Sequence, residues 1–584
     1  MRNTKFKTAR LRAALLIAVF LGIFLLLSID MRPHLRELGV MPGTNATGYI
    51  HRLLGAKDTV DQAAIRAWEI ARATQHTGTG ARVHRLLEKA KRGEPFTVAA
   101  IGGSVSKGRG LVNPSEDDHV RPPPDAGMGA STLYSPENLH VLVFEWLNST
   151  FPHPGNTFVN GAQGGVGSGY FAWCFKEHIA PAPDLVLIEL GINDLLSLDI
   201  VPKYEHLVRS VLELDSAPAI INLETFTTLF PSLVSSSALH ADVLAYYDVP
   251  SLSIRDILLP RILADPHTQL PRWFRTGGDV RLGDDKVREW GGVPVDLMHI
   301  SAKGHALAAG LIINYLSQQL SIVSPGGLLG RLGAKRLRAA QRVYDVPSTR
   351  LTASFNPADM PGRRPPVCRS TNSPRLHAAI SGIESDEEGA QGIQFATNSG
   401  WHPWAWDEKR YMIAREPGSL ATFDFVTAET EAVETHDEEP LDDPIAEYEP
   451  HPERTEQRRS IERKARPETV VDRREAAKQR ERASARARAR KKRPRSDATG
   501  TVAVGYQRSA HYGLGSVWCW VDSDRAGGVR LDGYWEIKER NMGIVDTVAT
   551  GLAPGPHRLS CELLPDTRDP QGRKEFRLFA IMHD

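Results

Sequence analysis

Phe96-Thr-Val-Ala-Ala-Ile101-Gly102-Gly103-Ser104-Val-Ser106 is the stretch that decides the fold of this chain. Its apolar half has the length of a buried strand and follows Gly93-Glu-Pro95, so it predicts one strand of a parallel sheet. Gly102 and Gly103 permit the sharp turn that must follow. The turn leaves Ser104 at the carboxyl end of the strand, where open α/β sheets bind ligands. Ser104 is therefore either a nucleophile, if a base reaches it, or the N-cap of a helix.

Three later stretches favour the nucleophile. Residues 158–168 end a second strand in a glycine-rich loop that contains Gly165, and residues 184–194 end a third strand in Gly191-Ile-Asn193-Asp194. Asp296-Leu-Met-His299 is the only Asp-x-x-His in the chain. These stretches supply a base, a carboxylate and candidate hydrogen-bond donors, which are the groups that an acyl-transfer site needs.

In its four blocks and their order, the chain resembles the SGNH hydrolases, the GDSL-type esterases and acylhydrolases, over roughly residues 90–320. The resemblance implies that Ser104 is the nucleophile, that His299 is the base and that Asp296 orients His299. It also implies an oxyanion hole made by the backbone N–H groups of Ser104 and Gly165 and by the Asn193 carboxamide.

One residue departs from that family pattern. The usual Gly-Asp-Ser of the first block is here Gly-Gly-Ser, with Gly103 in the place of the aspartate. The missing carboxylate has none of the catalytic roles, so the expected activity remains that of an esterase.

Other interpretations of these motifs stay open. Ser106 is an alternative nucleophile, although it lies two residues further into the turn. His305 has the position of a packed or capping histidine, and Asp194 that of a cap or supporting residue, because a carboxylate would repel an oxyanion. The glycine-rich loop lacks the Gly-Lys-Ser/Thr ending of a phosphate-binding loop.

Alternating strands and helices surround these motifs. The pattern predicts strands near 96–101, 156–160, 184–190, 217–223 and 249–254, and a last helix over 301–316. Such alternation is typical of a parallel sheet with helices on both faces. We therefore expect a three-layer, flavodoxin-like α/β domain over residues 93–320. Residues 107–135, which are rich in glycine and proline, either border its pocket or only cover its surface.

The remainder of the chain has a β pattern. Strand-like segments at 392–396, 420–426, 501–506, 516–521, 557–563 and 576–581 predict an all-β, jelly-roll-like sandwich over 367–427 and 499–584, after a linker over 321–366. This pattern loosely resembles the galactose-binding-like accessory domains. Residues 428–498 are acidic and then basic, with few apolar residues, so we expect a disordered insertion. It should form a long hairpin loop between consecutive strands, with its ends close together.

The first residues predict a membrane anchor. Residues 1–12 are basic and form a short cytoplasmic tail, and the apolar run 13–29 spans about 26 Å as a helix. A cleaved signal peptide is the alternative, but no small-x-small cleavage site follows. With the positive flank inside, the stem at 30–92 and everything after it lie in the lumen or outside the cell. A basic run in the insertion is then a solvated segment rather than a nucleic-acid site.

Sequons and cysteines fit an oxidising compartment. Asn45 and Asn148 begin glycosylation sequons. Four cysteines permit two disulfides. Cys519 and Cys561 lie on strand-like segments of one domain and form the expected pair, with Cys368 as the competing partner.

Composition restricts the function only weakly, because a net charge of +1 and 41% hydrophobic residues are ordinary for a globular protein. The sequence contains no Cys-x-x-Cys motif and no histidine cluster that would favour a zinc site, and we expect no cofactor.

The sequence thus predicts a type II membrane protein of the Golgi or ER lumen or the cell surface. We expect it to hydrolyse acyl esters, with glycan O-acetyl groups favoured. The alternatives are glycan O-acyl transfer by the same triad, and a non-catalytic, anchored glycan-binding protein.

Overall fold

The computed structural model describes residues 65–113, 131–230, 232–324, 345–347, 349–353, 366–372, 393–406, 409–428 and 500–584. The predicted tail 1–12, the anchor 13–29, Asn45, most of the stem and nearly all of the insertion 428–498 lie outside these ranges. Most of the linker 321–366 lies outside them too. The domain boundaries therefore stay predictions.

Six strands form the central sheet of the first domain: β1 (Thr74–His76), β2 (Thr97–Gly102), β3 (Thr157–Asn160), β4 (Leu185–Glu189), β5 (Ala219–Glu224) and β6 (Ser251–Ser253). Their order is β1-β6-β5-β4-β2-β3, and only the edge pair β1-β6 is antiparallel. The five parallel strands have the flavodoxin-like order. Strand β2 lies between β3 and β4 in the sheet, so the chain order reverses at β2, which is the topological switch point. Ser104 directly follows β2, so the predicted fold and the predicted place of Ser104 in it are confirmed.

Nine helices accompany this sheet in the described residues: α1 (Ala67–Ala73), α2 (Ala81–Lys91), α3 (Leu139–Thr150), α4 (Ser168–His178), α5 (Ile200–Leu212), α6 (Ser237–Tyr246), α7 (Arg255–Ala264), α8 (Pro266–Trp273) and α9 (Ala302–Val323). Successive β2 residues point to opposite faces of the sheet. Val98 and Ala100 therefore pack with α2, α3 and α9, whereas Ala99 and Ile101 pack with α4, α5 and α6. The result is the three-layer arrangement that the alternation predicts.

Helix α9 is longer than the predicted 301–316. It is the one helix of the described residues that is long and apolar enough to cross a membrane, but 72% of its most apolar window is buried in the protein. The Ser301 side chain caps its first turn by accepting a hydrogen bond from the Gly304 N–H. Helix α9 thus has the surroundings of a core helix.

A small antiparallel sheet, which the sequence pattern did not predict, stands beside the α/β core. It contains β7 (Phe274–Thr276), β8 (Val287–Trp290) and β9 (Val293–Ile300), in the order β7-β9-β8. Strand β9 contains both Asp296 and His299, so this sheet positions two of the predicted site residues.

The second domain is an antiparallel sandwich of eleven described strands: β10 (Val367–Ser370), β11 (Thr397–Ser399), β12 (His402–Trp406), β13 (Lys409–Ala414), β14 (Leu420–Thr427), β15 (Gly500–Arg508), β16 (Ser516–Val521), β17 (Val529–Asp532), β18 (Met542–Leu552), β19 (Gly555–Leu563) and β20 (Phe576–His583). One sheet has the order β12-β13-β20-β15-β18, with β10 also on β20, and the other β11-β14-β19-β16-β17. Apolar residues of both sheets form the core between them. The predicted sandwich is confirmed, and Cys519 on β16 is bonded to Cys561 on β19, as expected.

Two details of the sandwich correct the expectations. Strand β14 pairs with β19, whereas β15 pairs with β18 and β20 in the other sheet, so the predicted hairpin across 428–498 is wrong. The ends of that segment still meet at one turn, because Thr427 lies opposite Gly555 and Gly500 opposite Leu552. The strand expected at 392–396 is also misplaced, since the paired residues there are Thr397–Ser399.

The two domains share a hydrophobic core. Phe579 and Tyr411 of the sandwich pack into the same buried cluster as Tyr170 of α4 and Tyr204 of α5. A disulfide between Cys174 on α4 and Cys368 on β10 crosses the same boundary. The sandwich is therefore docked against the helical face that follows the predicted oxyanion loop.

Candidate active site

Ser104, His299 and Asp296 form a chain of hydrogen bonds at the carboxyl end of β2. Ser104 Oγ lies 2.8 Å from His299 Nε2, and His299 Nδ1 lies 2.7 Å from Asp296 Oδ2. His299 and Asp296 are buried, whereas Ser104 is partly exposed. A serine that solvent reaches and a buried imidazole held by a carboxylate have the geometry of an activated nucleophile.

An irregularity in β9 makes this contact possible. In a regular strand, residues three apart point to opposite faces. On the β7 side, however, Phe274 pairs with Ile300 while the next residue, Arg275, pairs with Asp296, so residues 297–299 are extra in β9. Asp296 Oδ1 also accepts a hydrogen bond of 2.9 Å from the Met298 N–H, which holds the bulged backbone. Bulges re-aim side chains in this way beside many active sites.

The surroundings favour a neutral imidazole and an ionised carboxylate. Burial lowers the pKa of His299 below its ordinary value; Asp296 opposes this shift, while Arg109 and Lys286 add to it. Burial alone would raise the pKa of Asp296, but the hydrogen bonds that it accepts from His299 and from the Met298 N–H, together with the nearby positive charge of Lys286, lower that pKa. A neutral imidazole can accept the Ser104 proton, so the electrostatics suit a general base.

The predicted oxyanion donors surround the same serine. The Asn193 side chain lies so close to Gly103 that a Cβ at position 103 would overlap its carboxamide. A Cβ built on Gly164 would lie 3.8 Å from the Ser104 Cβ, so the glycine-rich loop passes beside the nucleophile. Within the described part of the chain, no hydrogen bond uses the Ser104 N–H, the Gly165 N–H or the Asn193 carboxamide. These donors are available to a ligand, and the lack of a side chain at Gly103 has a steric reason.

Asp194 joins the two loops that carry those donors. This agrees with the supporting role that the sequence predicts for it. Its Oδ1 accepts a hydrogen bond of 2.7 Å from the Ser168 N–H, at the end of the glycine-rich loop. Its Oδ2 lies 2.9 Å from His240 Nε2. The other ring nitrogen of His240 lies 3.0 Å from Glu224 Oε1. The carboxylate thus ties the Gly165 loop to the Asn193 loop through a buried ion-pair network.

His240 is the charged centre of this network. Burial would lower its pKa, but the charges of Glu224 and Asp194 and their hydrogen bonds raise it to about 9. The Tyr204 ring stacks on the imidazole at 3.7 Å between centroids. No motif pointed to His240, because it lies on α6, far along the chain from Asp194.

The alternative residues have other partners. Ser106 is fully buried, and its hydroxyl donates a hydrogen bond of 3.0 Å to Glu189 Oε2, away from His299. Burial raises the pKa of Glu189 to about 7. His305 is buried, and its Nδ1 accepts a hydrogen bond of 3.3 Å from the Leu139 N–H. The structure therefore favours Ser104 as the nucleophile and gives His305 a packing role.

The sandwich carries an exposed aromatic surface. Trp406 is 46% exposed, and its ring lies 5.0 Å from that of Tyr512. The Arg577 guanidinium lies 4.9 Å from the Tyr512 ring. Burial raises the pKa of Tyr512, and the charge of Arg109 opposes that shift. The same charge adds to the lowering of the His299 pKa. Arg109 is thus within electrostatic range of both side chains. We call Trp406 and Tyr512 the aromatic platform.

The remaining predicted positions have plain surroundings. Asn148 lies in the last turn of α3, where its Oδ1 accepts a hydrogen bond of 2.8 Å from the Asn156 side chain. The described residues contain no group of three His, Cys, Asp or Glu side chains arranged to hold a metal ion.

Comparisons with known proteins give structural likeness at low identity. No family profile and no curated protein matches the sequence. A two-domain esterase described as active on acetylated mannans covers 88% of this chain and 97% of its own, at 16% identity and a TM-score of 0.49. Its crystal with mannopentaose matches at 15% identity, with the same coverage and a TM-score of 0.48. A lipase/acylhydrolase from Enterococcus faecalis covers 38% of this chain and 96% of its own, at 16% identity and a TM-score of 0.24. Likeness at this level identifies neither the reaction nor the substrate of this chain.

Proposed function

We propose that this protein is a serine esterase that cleaves acyl esters through an acyl-serine intermediate. One observation carries the proposal: Ser104, His299 and Asp296 are joined by hydrogen bonds of 2.8 and 2.7 Å at the switch point of a parallel sheet. Ligands bind at such switch points. A hydroxyl, a neutral imidazole and a buried carboxylate in this order are the parts of a nucleophilic acyl-transfer site.

In the first half of the reaction, Ser104 Oγ attacks the ester carbonyl while His299 Nε2 takes its proton. Asp296 holds the imidazole orientation and stabilises the imidazolium. The Ser104 N–H, the Gly165 N–H and the Asn193 carboxamide bind the negative oxygen of the tetrahedral intermediate. The C–O bond to the alcohol then breaks, and His299 gives the proton to the leaving oxygen. The acyl group stays on Ser104.

In the second half, water attacks the acyl-serine and gives a proton to His299. The second tetrahedral intermediate breaks its bond to Ser104 Oγ, which takes the proton back from His299, and the carboxylic acid leaves. Each oxyanion donor typically contributes 10²–10³ in turnover, about 3–4 kcal/mol. Transfer to a sugar hydroxyl in place of water would use the same groups.

The substrate class that we propose is a glycan carrying O-acyl groups, with O-acetyl favoured. The aromatic platform supports it, because the apolar face of a pyranose ring packs on exposed aromatic side chains beside polar groups. Trp406 and Tyr512 belong to the sandwich, and the charge of Arg109 acts on both Tyr512 and the proposed catalytic histidine, His299. A sugar on this platform would present its acyl group to Ser104 from the sandwich side.

We also propose that the protein is anchored by residues 13–29, with its domains in the secretory lumen or outside the cell. Both disulfides support an oxidising compartment. Glycosylation of Asn45 and Asn148, and protection of both domains from protease added outside sealed vesicles, are the expected results. Cleavage of the domains in such vesicles would contradict this orientation.

The test of the function is hydrolysis of p-nitrophenyl acetate and of an acetylated oligosaccharide by the purified full chain. Wild type should release acetate from both and form a fluorophosphonate adduct on Ser104. Ser104→Ala should lose both properties.

Ser106→Ala is the matched control, because this serine is two residues away and bonded to Glu189 instead of His299. It should keep the adduct on Ser104. A wild-type protein that hydrolyses neither ester, or a Ser104→Ala variant with full activity, would overturn the proposed function.

A further inference from the structure

A single four-residue segment of the sandwich, Arg540–Gly543, touches both loops of the predicted oxyanion hole. It lies at the start of β18. Arg540 Nη1 donates a hydrogen bond of 3.3 Å to the backbone carbonyl of Asp194, the residue after Asn193. The Gly543 N–H donates one of 2.7 Å to the carbonyl of Gly165. We call this segment the sandwich clamp.

Arg540 is buried and held in this position by its neighbours. It is only 7% exposed, and its guanidinium lies 4.0 Å from the centroid of the Phe230 ring. Trp535 Nε1 donates a hydrogen bond of 3.0 Å to the Arg540 carbonyl, which fixes the backbone from the sandwich side. Burial lowers the pKa of Arg540 to about 10, so the side chain stays charged at neutral pH. A buried, charged donor on a carbonyl is a strong and directional restraint.

Gly543 and Asn541 hold the other loop. Val166 forms a parallel bridge with Gly543, so the glycine-rich loop extends the edge of the sandwich sheet by one residue. Gly165 has φ +77°, a conformation that a glycine adopts readily. A Cβ there would lie 3.1 Å from the Asn541 carbonyl and 3.0 Å from Lys409 Nζ. The sandwich therefore packs directly against the turn that presents the Gly165 N–H.

We propose that the sandwich clamp positions the oxyanion donors, with Arg540 as a positioning residue for Asn193 and Gly543 for Gly165. The proposal rests on the proposed function for its consequence and on these contacts for its geometry. The clamp bonds to the carbonyls of Asp194 and Gly165, whereas the proposed donors are the Asn193 carboxamide and the Gly165 N–H. In this proposal it therefore acts on the donors through the backbone of their loops. The two domains would then share one catalytic site.

The energetic reason is that oxyanion donors act only when they are pre-arranged. Asp194 already links the two loops from within the α/β domain. The clamp adds a second restraint from outside, on the carbonyls that flank the donors. A displacement of about 1 Å at a reacting group can cost about 10² in rate, so a clamp that prevents it supports turnover without binding substrate.

The test compares Arg540→Met, which keeps an apolar stem without the donor, with Arg540→Lys and with wild type, all as full chains. We expect Arg540→Met to lower kcat on p-nitrophenyl acetate, per active site titrated with fluorophosphonate, by about 10- to 100-fold, with KM within about two-fold. Arg540→Lys should recover part of the loss. Inhibition by a boronic acid, whose tetrahedral adduct fills the oxyanion hole, should weaken in parallel with kcat.

Lys203→Met is the matched control. Lys203 Nζ donates a hydrogen bond of 3.1 Å to the Val545 carbonyl, so it docks the same strand while touching neither loop. Its kcat should stay within about three-fold of wild type, because docking alone does not set the loop geometry. Equal losses of kcat in both variants would overturn the proposal, since general docking would then explain them.

Hydrogen exchange separates the clamp from the reaction. Amides of residues 160–168 and 189–196 should exchange faster in Arg540→Met than in wild type or Lys203→Met. Unchanged exchange in both loops would overturn the clamp. A wild-type protein without esterase activity, but with this exchange pattern, would overturn the proposed function and leave the clamp standing.

Discussion

Two buried histidines of the α/β domain are both bonded to carboxylates but differ in charge state, one neutral and one positive. His299 is bonded to Asp296 and Ser104, and its pKa is lowered. His240 is bonded to Asp194 and Glu224, and its pKa is raised to about 9. Both rings are almost completely buried. The difference therefore comes from the neighbouring charges.

Burial costs the charged form of both imidazoles a similar amount, and the carboxylates decide the outcome. One carboxylate beside His299 does not compensate for burial, especially with Arg109 and Lys286 nearby. Two carboxylates around His240 do compensate. The same residue type is thus neutral in one place, as the proposed base must be, and positively charged at neutral pH in the other.

The largest expected effect is at the proposed catalytic histidine. His299→Ala removes the proposed base and should lower kcat for p-nitrophenyl acetate by about 10⁴-fold or more, about 5 kcal/mol of barrier. The substitution also removes the hydrogen bond to the buried Asp296, so the folded state of the variant must be measured separately. Stopped assays at high enzyme concentration, with urea unfolding as the folding control, measure both. A loss below ten-fold would contradict the role of His299 as the base.

The structural histidine should show the reverse pattern. His240→Ala leaves Asp194 and Glu224 buried without their cation, which typically costs about 3–5 kcal/mol of unfolding free energy. Urea unfolding measures this loss. Adding Glu224→Gln should return part of it, because one uncompensated charge is removed. A cost below about 1 kcal/mol would mean that His240 is not charged in the folded protein.

A side chain at position 103 tests whether the place of the Asn193 carboxamide matters for catalysis. Gly103→Asp restores the Gly-Asp-Ser of the resembled family, yet its Cβ would overlap the Asn193 carboxamide. We expect kcat to fall by about 10²-fold, the typical cost of one oxyanion donor, about 2.7 kcal/mol. Kinetics on titrated active sites check this. A variant as active as wild type would show that Asn193 moves aside at no catalytic cost.

The smallest expected effect is the pH dependence of the unfolding free energy, which reports the charge of His240 directly. The folded pKa of His240 is raised, so its stabilisation is fully present below the unfolded value of about 6.5 and is lost as pH rises through about 9. In that window this histidine should lower the unfolding free energy by up to about 1.4 kcal/mol per pH unit. Urea titrations at pH 6 to 9 should show a decline that His240→Gln flattens. Identical slopes in both proteins would contradict the charge assignment.

The pH dependence of activity should follow His299 instead of His240. His299 must be neutral to act as a base and its pKa is lowered, so the acid limb of kcat/KM should lie below the ordinary histidine value of about 6.5. A pH-rate profile on p-nitrophenyl acetate measures it, and His240→Gln should leave this limb in place. An acid limb above 6.5 would contradict the buried, weakly compensated environment of His299.

The order of motifs determined much of the site in advance. Strand length, β-branched residues and glycine turns are local properties, so the parallel strands, the sandwich and the place of Ser104 were predictable. Asp296 and His299 were predictable as a pair through their spacing. That spacing does not reveal the bulge in β9 that turns both side chains to one side, since a bulge depends on the register with β7.

Only the tertiary structure decided what supports the site. His240 on α6, Glu224 on β5 and Arg540, two residues before β18, carry no motif. They reach the predicted oxyanion loops because the helices and the second domain pack there. The sheet assignment of β14 and β15 likewise follows from strand pairing, which the local pattern does not specify. The sequence by itself determined the chemistry at each strand end. Long-range packing determined which charges and hydrogen bonds surround that chemistry, because those contacts join residues between 16 and 346 positions apart that no local pattern pairs.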